Sequence, residues 1–120
     1  MKSNGFPKSK KLKKENEISL LFKKGKWKTV GNIRVITYSH PDFAESKVGV
    51  SASKRYFKKA VDRNRVKRLL REAYRLHQNE FEAAFGNHSL TMFFWVSPKL
   101  PADFQEVEKN FLQVLPQKKQ

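Results

Sequence analysis

The sequence has no cysteine in 120 residues, which excludes a disulfide scaffold, a cysteine nucleophile and a thiolate metal site. Acidic residues are scarce too: 11 Asp and Glu stand against 26 Lys and Arg, for a formal net charge of +15 at pH 7. So basic a chain is not an ordinary metabolic enzyme. Long apolar runs are missing as well. The longest, Met92 to Val96, is far too short to span a bilayer, and the basic stretch Met1 to Lys14 leads into no apolar segment of secretory type. The expectation is a cytoplasmic protein with no membrane partner.

Catalytic constellations are equally thin. His40, His77 and His88 stand apart in the sequence, with no second histidine or carboxylate at metal-ligand spacing, so structural roles are expected for all three. Glu80, Glu82, Glu106 and Glu108 read as solvated helix faces. There is no glycine-rich phosphate loop, nucleophile elbow or dinucleotide fingerprint. Any reaction this chain takes part in draws its catalytic groups from elsewhere.

What is present is apolar material sufficient for one core, 38% hydrophobic with 12% aromatic residues, in a chain of single-domain length. We read residues 1–14 as a basic, mobile tail, 15–116 as one α/β domain and 117–120 as a short polar tail. The charge is divided unevenly. Residues 1–30 hold ten Lys against two Glu, residues 54–75 hold ten Lys or Arg against Asp62 and Glu72, and the remaining 68 residues are near neutral. Two basic blocks on a near-neutral body form a footprint for a polyanion, whereas solubilising charge would be spread along the chain.

Periodicity supplies the elements. Glu15 to Lys24 reads as a short amphipathic helix carrying Ile18, Leu21 and Phe22, with Asn16 as its N-cap and Gly25 just past its end. Asn32 to Ser39 alternates as a strand, with Ile33, Val35 and Thr37 on one face and Arg34, Ile36 and Tyr38 on the other. Lys47 to Ser53 sets Val48, Val50 and Ala52 against Gly49, Ser51 and Ser53, leaving one face open to a ligand or another element. Ala60 to Phe85 reads as one long helix with Val66, Leu69, Leu70, Ala73, His77, Phe81 and Ala84 on its apolar stripe. Ser89 to Ser97 is apolar on both faces, as a doubly covered central strand should be. Asp103 and Glu106 form a capping box ahead of a last helix bearing Phe104, Val107, Phe111 and Leu112.

The second basic block carries the functional signal. Lys54, Arg55, Lys58, Lys59, Arg63, Asn64, Arg65, Lys67, Arg68 and Arg71 run from a strand end into the long helix. Asn64, Lys67, Arg68, Arg71 and Arg75 share the helix face opposite the apolar stripe. Arginine predominates from Arg63 onward, and its planar fork binds phosphate bidentately and stacks on bases, which a solubilising lysine face would not require. The plain alternative is a solvated face with Arg68 and Glu72 as an i,i+4 pair.

The run from Ala60 to Tyr74, with Arg63-Asn64-Arg65 followed by Lys67-Arg68-x-x-Arg71-Glu72, resembles the signature of the bacterial ribonuclease P protein component. The likeness extends to Lys-Lys-x-x-Glu-Ile-x-x-Leu-Phe-Lys-x-Gly near the start and to Val48-Gly49-Val50-Ser51-x-Ser53-Lys54-Arg55. It implies an α+β fold, a single-domain α/β sandwich in the order α-β-β-β-α-β-α with a left-handed β-α-β crossover (ribosomal protein S5 domain 2-like). It further implies the protein subunit of an endoribonuclease that removes the 5′ leader of precursor tRNA, with catalysis in the RNA subunit. The partners implied are that catalytic RNA, bound one to one by a chain that is monomeric when free, and precursor tRNA. No cofactor is expected on the protein, and Mg²⁺ is expected for the RNA-catalysed reaction.

By the same resemblance the ten basic-block residues from Lys54 to Arg71 face the RNA subunit, and a cleft beside the first helix holds the leader. Ile18, Phe22, Arg34, Ile36, Tyr38, Ser51 and Ser53 are its candidate lining, with ordinary core packing as the alternative for Phe22. Ile18 stands where an aromatic is frequent, so apolar contact replaces stacking there. Trp27 and Lys28 follow the first helix; a buried anchor of the first strand is the role expected of Trp27, with a place bordering the leader path as the alternative. The rival reading is a structural RNA-binding protein of ribosomal-protein type, which would bind ribosomal RNA without affecting tRNA maturation. A self-sufficient nuclease is disfavoured by the lack of acidic clusters.

Overall fold

Alternating β-branched and aromatic residues build a four-stranded sheet, and the amphipathic segments cover both of its faces. The computed structural model describes Leu12, residues 15–86 and residues 88–115. Its elements are α1 (Glu15–Lys24), β1 (Lys26–Val30), β2 (Ile33–Ser39), β3 (Lys47–Ala52), α2 (Ala60–Leu76), α3 (Gln78–Phe85), β4 (Ser89–Trp95) and α4 (Phe104–Val114). The expected tails lie outside the described residues, except that Leu12 is buried and its N–H donates to the Val48 carbonyl at 3.0 Å. The face of β3 expected to be open is thus met there by another part of the chain, with Leu12 over Gly49.

Strand order is β1-β2-β4-β3, with β1/β2 and β2/β4 antiparallel and β3/β4 parallel. The parallel pair requires a crossover, and α2 and α3 supply it. On one side Val35, Val48, Phe93 and Trp95 pack with Val66, Leu70, Ala73 and Tyr74 of α2 and with Val107, Phe111 and Val114 of α4. On the other, Ile36, Leu90 and Leu12 pack with Leu21 of α1. A helix as short as α1 is marginal by itself, since isolated helices below about 12 residues barely form. Burial of Leu21 against the sheet holds it in place.

Two glycines set the path into and out of β1. A side chain at Gly25 would bring its Cβ within 2.6 Å of both Ile36 Cγ1 and the Leu21 carbonyl, so only glycine lets α1 lie this close. Gly31, at φ +59, opens the two-residue turn that joins Val30 to Ile33. Asn110 of α4 secures the turn, its Oδ1 accepting the Asn32 N–H at 2.9 Å. Half of the expected capping box forms: Asp103 is the N-cap and accepts the Glu106 N–H, while Glu106 reaches back one residue further, to the Ala102 N–H.

Three local expectations are corrected. Asn16 lies inside α1 and does not cap it. The order is α-β-β-β-α-α-β-α, because the helix expected over Ala60 to Phe85 breaks at His77 (φ −123, ψ 36) into α2 and α3. Tyr74, absent from the expected stripe, is fully buried edge-on to Phe81, and burial, with Glu82 nearby, pushes its phenol up to about 12.

At the break the His77 side chain is tied to both α3 and α4. His77 Nδ1 lies 3.1 Å from Glu80 Oε2, and Nε2 lies 2.7 Å from Glu108 Oε2 on α4. Carboxylates only accept, so both contacts are hydrogen bonds only when both ring nitrogens carry protons. The bond to Glu108, seconded by Glu80 against partial burial, raises the imidazole above its ordinary 6.5. The stabilisation is therefore complete below that value and lost as pH rises through the raised one. We predict that the Tm difference between the native chain and His77→Gln is largest near pH 6 and shrinks toward pH 9. A difference independent of pH would contradict the tie.

Candidate nucleic-acid interface

The arginine face grows from the loop that leaves β3. Ser53 organises that loop, its Oγ accepting the Arg55 N–H and its carbonyl the N–H groups of Tyr56 and Phe57. Phe57 is buried in the larger core and pins the loop. Arg63 then closes it: Nη1 donates to the carbonyls of Phe57 and Lys58, both at 2.9 Å. Of the expected RNA-facing residues, Arg63 is thus committed in part to its own backbone.

The others are held outward. Lys54, Arg55, Lys58, Lys59, Asn64, Arg65, Arg68 and Arg71 are exposed and Lys67 is half-buried, because Val66, Leu70, Ala73 and Tyr74 turn the opposite face of α2 into the core. The anticipated pair between Arg68 and Glu72 does not form. Glu72 bonds instead to Arg75 one turn on, and this hydrogen bond lowers its pKa. Arg65, Arg68 and Arg71 therefore carry no ion pair among the described residues.

A second surface lies across the sheet. Strand register sets Trp27, Ile36, Met92 and Gly49 in one row on the α1 side and Thr29, Arg34, Phe94 and Ser51 in the next. Ile36, expected to line the cleft, is 0% exposed beneath α1 and cannot touch a ligand. Tyr38 and Ile18 are half-buried about the smaller core, where Tyr38 packs on His40 and Phe43, away from the Arg34 row. Ser53 lies beyond the end of β3, in the basic loop. Phe22, Arg34 and Ser51 do converge, and what joins them is Phe94.

Trp27 is the larger correction. It is 42% exposed, and Phe22 is 45% exposed. The Trp27 ring lies 5.6 Å from those of Phe22 and Phe94, Phe22 and Phe94 are 6.1 Å apart, and the Arg34 guanidinium sits 4.3 Å over the indole. Sequence reasoning placed Phe94 in the sheet but assigned it no function, and preferred a core anchor to a border of the leader path for Trp27. The signal available was its setting, Lys26-Trp27-Lys28, where cations on both sides mark an exposed edge strand.

Comparison with known proteins decides what this pairing of surfaces belongs to. The family model described as Ribonuclease P matches residues 6–119. The chain belongs to the ribonuclease P protein family. A ribonuclease P protein component from Porphyromonas gingivalis is 39% identical over 110 residues, covering 88% of this chain and 80% of the relative. The RNase P protein of Staphylococcus aureus shares the fold with a TM-score of 0.75 at 22% identity, over 90% of this chain and 94% of that one. For the Thermotoga maritima RNase P protein the TM-score is 0.72 at 21% identity, over 88% and 94%. The family expected from the Arg63 to Glu72 signature is borne out, and with it a part in the ribonuclease P ribonucleoprotein and in tRNA processing. No helix among the described residues is long and apolar enough to cross a membrane.

The geometry separates anchored from free arginines. Arg63→Ala should destabilise the fold by about 1–2 kcal/mol through two lost charge-assisted hydrogen bonds on a partly exposed loop. Arg68→Ala should leave stability within about 0.5 kcal/mol of the native chain. Denaturant unfolding of both variants checks this; equal losses would contradict it.

Proposed function

We propose that the outer face of α2 and the loop before it dock on the catalytic RNA of ribonuclease P, while the sheet face beside α1 takes the single-stranded 5′ leader of precursor tRNA. The observation that carries the docking is the row of arginines at 65, 68 and 71, exposed on a rigid helix with no carboxylate neutralising them among the described residues. Structured RNA offers phosphates and 2′-hydroxyls but not its narrow major groove, so a fixed arginine face suits recognition of shape and backbone. A leader is unpaired and calls for an open surface with stacking rings and flanking cations. The aromatic cluster around Phe94 has that character.

In this reading the RNA performs the hydrolysis, with the Mg²⁺ of the reaction assigned to it, and the protein positions substrate. The chain is monomeric when free, since a net charge of +15 opposes association between copies, and one chain serves one RNA. The ten residues from Lys54 to Arg71 form the RNA-subunit surface, with Arg63 acting mainly by shaping the loop. Phe22, Arg34 and Ser51 remain from the proposed leader lining, and Phe94 joins them.

Adding the chain to the catalytic RNA should raise precursor-tRNA cleavage at low Mg²⁺; no stimulation would refute the assignment. The double variant Arg65→Ala, Arg68→Ala should weaken RNA-subunit binding and make the slope of log affinity against log salt shallower by roughly one to two units. An unchanged slope would place the contact elsewhere.

A further inference from the structure

Trp27 is the residue least explained by folding. It is the one aromatic of an edge strand whose residues from Lys26 to Thr29 are all exposed, and α1 is held to the sheet by Leu21 rather than by the rings of Phe22 and Trp27. Phe22 meets Trp27 at 89° and Phe94 at 79°, edge to face, so the cluster is an ordered set of rings held on a sheet. Arg34 covers the indole as a planar cation, and no carboxylate pairs with it among the described residues. A guanidinium seated on a ring presents its own outer face for stacking.

Resting on the leader reading above, we infer that Trp27 and Arg34 form a stacking post for an unpaired RNA base, next to Phe22 and Phe94. The base stacks on the indole or on the guanidinium covering it, and nearby cations meet its phosphates. Lys23 and Lys24 are exposed on the last turn of α1, next to Phe22, whereas Lys26 and Lys28 pair with Thr37 and Val35 and so project from the other face of the edge strand. Ser51 lies beside Phe94, and one residue past it the chain leaves β3 for the loop carrying Lys54 and Arg55, so further cations sit at the same end of the sheet. Exposed cations on the segments flanking the aromatic cluster fit an RNA strand and repel a second copy of the chain. The post reads a base by its face, so it accepts any of the four. It extends the leader site from α1 onto the β1 edge.

Holoenzyme assembled from the full chain and its RNA provides the test. Trp27→Ala should lower affinity for precursor tRNA roughly 5- to 100-fold, the effect of one lost base–aromatic stack, and leave mature tRNA affinity unchanged. Arg34→Gln, which spares the indole, should give a smaller loss in the same direction, so the outcome does not hang on one variant's folding. A single-stranded RNA of leader length should quench part of the native chain's tryptophan emission and none of that of Trp27→Phe, because the other tryptophan, Trp95, is buried. Precursor binding unaltered in both the Trp27→Ala and Arg34→Gln variants would overturn the inference. If Phe22→Ala alone weakens precursor binding selectively, the leader site stands and the Trp27 post falls. If none of these variants distinguishes precursor from mature tRNA, both fall. Emission that changes with protein concentration without RNA would mark a contact between copies and also overturn it.

Discussion

β4 must be covered on both faces. It lies between β2 and β3, with Phe93 and Trp95 pointing to one side and Leu90, Met92 and Phe94 to the other. On the first side α2 and α4 complete a core of aromatic and branched residues. On the second a ten-residue helix lies over part of the strand. Leu21 and Ile36 seal the middle of that side; toward the end of β4, Phe94 reaches past the helix to Phe22 and Trp27. The unequal cover is what gives the sheet a buried face and a partly open one.

The same requirement shapes the arginine face. α2 crosses from β3 to β4 and must turn Val66, Leu70, Ala73 and Tyr74 inward, which leaves positions 64, 65, 68 and 71 outside. Salt bridges do not draw these arginines back, because Glu72 is taken by Arg75 and Arg63 is taken by the loop. Surface cations held apart from carboxylates keep their full attraction for phosphate. The arginine face of α2 and the aromatic surface beside α1 therefore lie on opposite sides of one sheet, the first broad and basic, the second narrow.

Much of this was legible from local pattern. The long amphipathic run declared both faces of α2, the two-sided apolar run declared β4 as central, and Asp103 with Glu106 declared the start of α4. The signature from Ala60 to Tyr74 carried the family. What stayed hidden depended on distant partners. His77, where the helix breaks, meets Glu108, 31 residues on. Alternation put Ile36 and Arg34 on one face correctly but could not show that α1 would close over the first and stop short of the second. The lysines on either side of Trp27 mark an edge, but nothing local revealed that its ring would meet Phe22, Phe94 and Arg34. Arg63 and Arg65 look alike in sequence, and only the path of residues 53–59 distinguishes an anchor from a free cation.

The central claim is that one sheet separates two RNA surfaces with different partners. Because the chain has no cysteine, single substitutions such as Arg68→Cys on α2 and Phe22→Cys on α1 offer unique sites for a photocrosslinker. In assembled holoenzyme with precursor tRNA, the group at position 68 should crosslink to the catalytic RNA whether or not substrate is present. The group at position 22 should crosslink to the 5′ leader. Crosslinks from both positions to the same strand, or the two targets exchanged, would contradict the account.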